Sequence, residues 1–332
     1  MPMKAVLFER YGPPEEVAHI ADIDIPTPGE GQVLVKIRAA SVNIFDSYRT
    51  TGLFRLLGGG VRRPKHQQLG MDLAGRVEAV GTGVGKLKSG DEVFGTCGVA
   101  GEEMRSFAEY AVARETKLAI KPPNVSFEEA AAVPAAGLTA LQCLRDNGRI
   151  KGGEEVLVNG ASGGVGTFAV QIAKAYGAKV TGVCSTRNVE QARSIGVDSV
   201  IDYTKEDFTK TGQTYDLICD IAGNHPVWAC KRALKPQGRC FMVGSTGNPL
   251  LGIVKFTVLG KLWSLTGGKK VGFMGFERSN AEDLGVLAGL MADGKVKPVI
   301  EKLYKLNEAP QVLQYILTKH TRGKNVIVVS RE

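Results

Sequence analysis

Six cysteines are spread over 332 residues, and no two of them form a C-x-x-C pair. With no zinc-finger spacing, no basic stripe and no RNA-binding signature, the chain lacks what a nucleic-acid reader needs, and no nucleic-acid partner is expected. Cys184, Cys219 and Cys240 lie on apolar, strand-like runs and read as small buried thiols in a reducing compartment. No signal peptide is expected at the start, where Met1 to Phe8 has the pattern of a first strand. A cytoplasmic protein is expected, or an organelle protein already stripped of its targeting peptide. A long uninterrupted apolar run is also missing. Residues 248–265 come nearest, but Lys255 and Lys261 interrupt them. That segment reads as a lid or a dimer-facing element, not as a membrane span.

What is present is an ordinary globular composition, 43% hydrophobic and 23% charged, enough for a sizeable core and two domains at this length. The net charge of +8 comes from Lys and Arg residues spread along the chain, which suits a basic protein or one that holds a ligand with several phosphates. The stretch that organises the rest is Glu155 to Gly166. Glu155 to Asn159 is apolar enough for a buried parallel strand. Gly160, Ala161, Ser162, Gly163, Gly164, Val165 and Gly166 then form a glycine-rich turn. Thr167 to Tyr176 is apolar at helical spacing and stops at Gly177. Strand, glycine turn and helix open a dinucleotide-binding βαβ unit. Gly160 permits the tight turn, Gly163 or Gly164 clears the approach of a pyrophosphate, and Gly166 allows close packing. The phosphates would then lie at the positive end of the helix.

Before this unit, to about Pro123, alternating runs at Lys4–Phe8, Gln32–Ala39, Gly75–Gly81, Asp91–Gly95 and Phe107–Val112 predict a small barrel-like β domain. Ser126-Phe127-Glu128-Glu129 has the form of a capping box, and a further helix is expected from about Gly137 to Asp146. After it, strands at 179–184, 199–202, 215–221, 239–244 and 270–273 alternate with helices, which predicts a doubly wound parallel sheet. From about Glu277 a helix, a strand, a helix and a final strand, Asn325 to Val329, suggest a return to the first domain. The expected boundaries are 1–124 completed by 276–332, with the nucleotide-binding domain over 125–275.

In folds that prefer NAD, an acid ends the second strand and binds the ribose hydroxyls. Here that strand runs into Cys184-Ser185-Thr186-Arg187-Asn188, with no carboxylate before Glu190. Arg187 is suited to grip a 2′-phosphate and Ser185 to add a donor, so NADPH is the expected cofactor. Backbone at Val243, Gly244 and Ser245 follows a late strand and is expected near the nicotinamide.

Several stretches together resemble the zinc-independent quinone oxidoreductase (zeta-crystallin-like) branch of the medium-chain dehydrogenase/reductase superfamily. They include "VKIRAASVNIFDSYRTTG", "LGMDLAGRVEAVGTGV", "AAAVPAAGLTALQCL", "NGASGGVGTFAVQIAKAYGAKV" and the terminal "RGKNVIVV". The resemblance covers nearly the whole chain. It implies an α/β protein in which a GroES-like, β-rich catalytic domain is joined to a Rossmann domain. The places where zinc-dependent relatives carry Cys and His read Ser41-Val42-Asn43 and Gly70-Met71-Asp72, His66 stands alone, and no metal is expected.

Without a Lewis acid, hydrogen bonding and positioning must serve the substrate oxygen. The resemblance implies that Asn43 and Tyr48 project from the loop after the second barrel strand. Tyr48 would donate to a carbonyl oxygen or relay a proton, and Asn43 would hold a carbonyl or the nicotinamide ribose. Asp46 is expected to be a structural cap. The resemblance also implies that Thr139, in the "GLTA" turn, meets the cofactor, that Tyr203 lies by the adenosine phosphate, and that Asn325 is a further candidate. The expected function is hydride transfer from NADPH to a quinone or an α,β-unsaturated carbonyl compound, by a homodimer paired at sheet edges near Val271 to Met274. The alternatives are a nucleotide-binding protein with a structural or RNA-associated role and an enoyl reductase module of a larger polyketide enzyme.

Overall fold

The structure is a computed structural model describing residues 2–53, 55, 60–98, 104–245, 249–264, 268–318 and 321–330. Parts of the segments 53–64, 97–106 and 248–268 lie outside the described residues. The chain divides into two compact units. The first holds Met1–Leu138, Arg278–Gly294 and Pro298–Glu332, and the second holds Thr139–Glu277 with Lys295–Lys297.

In the first unit, β1 (Pro2–Phe8) pairs antiparallel with β2 (Ala18–Asp24) across the short α1 (Pro14–Val17). The long strand β3 (Gln32–Val42) buries all but a few of its residues. It is followed by α2 (Ile44–Thr51), β4 (Asp72–Val80), β5 (Glu92–Thr96), β6 (Tyr110–Arg114), β7 (Leu118–Ile120) and α3 (Phe127–Ala131). The Ser126 capping box is formed on both sides: its Oγ accepts the Glu129 N–H at 3.1 Å and its own N–H donates to Glu129 Oε2 at 3.0 Å. The helix α4 (Pro134–Gln142) starts one turn earlier than its sequence pattern suggests, with Pro134 in its first turn. Residues 125–138 pack with this unit rather than with the nucleotide-binding one, because α3 lies on β3 and β4 and the Ala135 N–H is held by Asp72.

The second unit contains β8 (Glu155–Asn159), α5 (Gly164–Ala175), β9 (Lys179–Cys184), α6 (Val189–Ser194), β10 (Ser199–Asp202), β11 (Tyr215–Asp220), α7 (Val227–Arg232), β12 (Leu234–Met242), α8 (Pro249–Ser264) and β13 (Lys270–Phe273). Its six strands are parallel in the order β10-β9-β8-β11-β12-β13. The chain winds outward from β8 in one direction and then in the other. Right-handed crossovers therefore put α5 and α6 on one face and α7 and α8 on the opposite face. The direction reverses between β8 and β11, and the carboxyl ends of those strands are where an open α/β sheet takes its ligand.

The chain then returns to the first unit as α9 (Ala281–Ala292), β14 (Ile300–Lys305), α10 (Ala309–Thr318) and β15 (Lys324–Val328). β15 pairs with β3 from Asn325 opposite Val42 to Val328 opposite Ala39. That unit's main sheet runs β14-β15-β3-β4-β5-β7, with β6 also on β3. Val33, Val35 and Ile37 from β3, Leu73 and Val77 from β4, and Val312 and Leu313 from α10 share its core.

Candidate active site

The glycine turn of the second unit is built by sterics. Gly160 has φ +93°, a left-handed conformation that glycine adopts at no cost. Its N–H and that of Ala161 both donate to Val183 O, tying the turn to β9. A Cβ on Gly166 would stand 2.0 Å from Gly160 O and 2.9 Å from Ala161 Cα, so no other residue fits there without moving backbone. Among the described residues a Cβ on Gly163 would meet only Gly160 O, at 3.6 Å. Gly163 is the N-cap of α5 and brings no capping side chain. The first N–H groups of α5, at Gly164, Val165 and Gly166, therefore face outward from the positive end of the helix, an arrangement that fits a pyrophosphate.

Ser162 is tied to the end of β9. Asn188 Nδ2 donates to Ser162 Oγ at 3.0 Å and to Ser185 Oγ at 3.3 Å. Arg187 is exposed on a single turn of helix, Thr186–Asn188. Tyr203 is 51% exposed, and its N–H donates to Cys184 O, which brings it to the same strand end as Ser185. The strand end itself carries no carboxylate before Glu190, as the sequence reads, but the sheet brings one alongside. Asp202 is the register partner of Cys184, because the neighbouring strand supplies what the second strand lacks. It accepts hydrogen bonds from the Thr186 and Thr204 hydroxyls, which pull its carboxyl down to about 2, and Lys205 lies 3.6 Å away. Val243, Gly244 and Ser245 follow β12 at the carboxyl edge, with the Val243 N–H on Asp220 O. Asn159 Nδ2 donates to Asp220 Oδ1 at 2.7 Å, closing the gap between β8 and β11.

Thr139 does not sit in a turn. It lies within α4, where it keeps some exposed surface while Pro134–Leu138 and Ala140–Gln142 are buried. The apolar spacing on both sides of Gly137 continues the helix through that glycine.

Asn43 and Tyr48, in the first unit, also sit differently from the expectation of a loop. Asn43 is the N-cap of α2 and Tyr48 lies inside that helix, which ends at Gly52 with φ +75°. Asp46 is the cap that the sequence suggests: its Oδ2 accepts the Asn43 N–H at 2.9 Å. Among the described residues its Oδ1 is buried without a partner, and burial raises the carboxyl to about 7. Tyr48 is half-buried, and burial raises its phenol above the ordinary value, so it stays a donor at neutral pH.

Beneath Asn43 lies a buried charged group that the sequence does not announce. Asp72 Oδ2 accepts from Ser41 Oγ at 2.8 Å and from Asn43 Nδ2 at 2.9 Å, and its Oδ1 accepts the Ala135 N–H at 3.0 Å. Lys324 Nζ donates to Asn43 Oδ1 at 2.6 Å and to Val42 O at 3.1 Å, and lies 3.8 Å from Asp72. Asp72 and Lys324 are both buried, which pushes the carboxyl up and the ammonium down; each opposes the shift of the other. Between an ammonium and a carboxylate, the Asn43 amide has one sensible orientation, oxygen to Lys324 and nitrogen to Asp72. Among the described residues the second Asn43 amide N–H has no hydrogen-bond partner.

Asn325 is turned the other way along β15. Its Nδ2 donates to Glu301 Oε2 at 3.2 Å and it is buried. The residue of that strand beside Asn43 is Lys324, and the lysine that opens an otherwise apolar final run is the signal that could have found it. Among the described residues no group of three or more His, Cys, Asp and Glu is placed to hold a metal ion.

Two family profiles match: "Alcohol dehydrogenase GroES-like domain" over residues 29–142 and "Zinc-binding dehydrogenase" over residues 195–327. The chain is 33% identical to the NADPH-dependent alkenal/one oxidoreductase, chloroplastic, of Arabidopsis thaliana, over 98% of this chain and 79% of that one. Among solved structures it is similar to the quinone oxidoreductase from Coxiella burnetii, with a TM-score of 0.86 and 30% identity over 99% of this chain and 100% of the other. The Escherichia coli quinone oxidoreductase complexed with NADPH gives a TM-score of 0.80 and 26% identity over 98% and 100%. The chain belongs to the medium-chain dehydrogenase/reductase superfamily, in its quinone oxidoreductase branch, and is an oxidoreductase.

Proposed function

We propose that the protein is an NADPH-dependent reductase that delivers hydride to a quinone or to the conjugated double bond of an enone. The observation that carries this reading is the uncapped N-terminus of α5 at the carboxyl edge of the sheet, with Ser185, Arg187 and Tyr203 at the adjoining strand end. The names of the relatives, an alkenal/one oxidoreductase and quinone oxidoreductases, support the substrate class. NADPH, when bound, supplies the hydride. The α5 N–H groups hold its pyrophosphate, and Arg187 with Ser185 grips the 2′-phosphate. Asp202 is spent on Thr186, Thr204 and Lys205, which leaves the ribose end to the cation.

Tyr48 is the proposed donor to the substrate oxygen, and Asn43, clamped by Lys324 and Asp72, offers its remaining N–H to a carbonyl or the nicotinamide ribose. Thr139, Val243, Gly244 and Ser245 complete the proposed nicotinamide side. No metal takes part in this scheme. The Ser41-Val42-Asn43 and Gly70-Met71-Asp72 stretches offer neither thiolate nor imidazole, and the Asp72 oxygens already hold three donors. A stoichiometric zinc signal from purified protein would contradict this.

A homodimer joined at the exposed edge of β13 is part of the same reading; light scattering tests it, with a monomer at micromolar concentration counting against it. The free cysteines, five of them buried, suit a reducing compartment, the cytoplasm or an organelle interior. NADPH oxidation measured with a quinone panel beside an enone panel tests the function. Turnover of simple alcohols alone would overturn the class.

A further inference from the structure

The spread of Lys and Arg along the chain hides an uneven distribution of acids. From Ile221 to Phe276 there is no Asp or Glu and there are eight Lys or Arg, equal to the whole net charge of +8. Lys235 is neutralised by Glu155 and Asp216, and Arg239 by Glu154. Most of the others gather around α7 and α8, on one face of the second unit's sheet. Lys255, Lys261 and Lys270 are exposed. Lys269 Nζ donates to Lys231 O, which joins the end of α7 to the start of β13. Arg232 lies 5.2 Å over the ring of Trp228, itself 51% exposed.

The same surface is apolar. Leu251, Val254, Val258 and Leu262 are 51–57% exposed and follow one another at helical spacing, so they form one stripe along α8. The helix cannot turn that stripe inward. Phe256 is buried in the core, a Cβ on Gly260 would stand 2.5 Å from Val271 O, and Ser264 Oγ is bonded to Val271 N–H at 3.0 Å. Beside the stripe a groove of about 460 Å³ is lined by Phe241, Lys261, Leu262, Ser264, Lys270 and Val271.

We infer that the outer face of α7 and α8 docks on an anionic lipid surface. A helix lying in a bilayer interface needs an apolar stripe, flanking lysines and an aromatic at headgroup level, and all three are present. A second copy seated on the stripe across a two-fold axis would bring a surface without acids against itself. Single-stranded nucleic acid needs stacking aromatics along a basic track, whereas this stripe is aliphatic. The inference stands apart from the reductase reading, because docking requires neither NADPH nor a substrate.

Co-sedimentation with vesicles tests it, without nucleotide. Vesicles of equal phosphatidylcholine and phosphatidylglycerol should pellet the protein, and phosphatidylcholine alone should do so at least about tenfold more weakly. High salt should release it. The V254E/V258E and K255E/K261E pairs should each lower partitioning by about twentyfold or more, from roughly fivefold per charge near such a surface. Thermal midpoints identify folded variants, and the lysine pair, lying at the surface, keeps the test alive if the valine pair unfolds. No binding to the anionic vesicles, or binding unchanged in folded variants, would overturn the inference. So would an RNA homopolymer being retained when vesicles are not, or a V254E/V258E drop from dimer to monomer with no vesicle binding by the wild type.

Discussion

The glycine turn of the second unit and the charged group of the first solve opposite problems. The turn works by leaving things out: Gly160 and Gly166 carry no Cβ, Gly163 brings no cap, and backbone N–H groups stay available for a ligand. The Asp72–Lys324 group works by filling everything in, with three donors on one carboxylate and an ammonium clamped to an amide and a carbonyl. In the proposed reading the turn takes an anion that comes and goes. The other is a fixed support that orients one amide. The first should respond to mutation mainly in binding, and the second mainly in stability.

The sharpest break of that contrast is Lys324→Met. It strands Asp72 in the interior, and removal of one partner of a buried pair costs about 3–5 kcal/mol. Urea unfolding should show that loss, and Asp72→Asn added to it should restore part of it. Additive losses would mean that the two residues do not support each other. Asp46 gives the next effect, through pH. Its carboxyl is raised to about 7 in the fold, so the folded protein keeps a proton that the unfolded chain releases from about pH 4 upward. Stability from this group is therefore lost as pH rises from about 4 to 7, at most about 1.4 kcal/mol per unit. Asp46→Asn keeps the cap acceptor and removes the slope. Relative to wild type it should gain about 2–3 kcal/mol between pH 5 and pH 7.5 in urea melts. A parallel pH dependence would refute the assignment.

Gly166→Ala sharpens the other side. Its Cβ must displace the Gly160 carbonyl, at a cost of about 1–3 kcal/mol. NADPH affinity should fall further than stability does, and a variant that binds NADPH normally would contradict the steric account. Arg187→Ala should be the mildest. It should raise the KM for NADPH about tenfold, as loss of a charge-assisted contact does, and leave the KM for NADH nearly unchanged. Equal effects on both would remove the 2′-phosphate role.

The same contrast explains what was legible in the sequence. The turn is local: strand, glycines and helix lie within 21 residues of one another, each glycine has its own steric reason, and the pattern needs no partner from elsewhere. The Ser126 capping box is local in the same way. The charged group draws on residues 41, 43, 72 and 324, which only the pairing of β3 with β4 and β15 brings together, and on the Ala135 N–H from α4. Asp202 was missed for the same reason, since its nearness to Cys184 belongs to the sheet and not to the segment. The stretch Asn43 to Tyr48 after a long strand reads as a loop, yet a buried Asp46 cap holds Ile44–Thr51 as a helix. Pattern along the chain finds elements well, and side-chain groups assembled across strands least well.

Calorimetric titration of the purified protein with NADPH and with NADH bears most directly on the whole account. Saturable binding of NADPH, tighter than that of NADH and weakened by Gly166→Ala, is the expected result. Absence of binding by either nucleotide would contradict it.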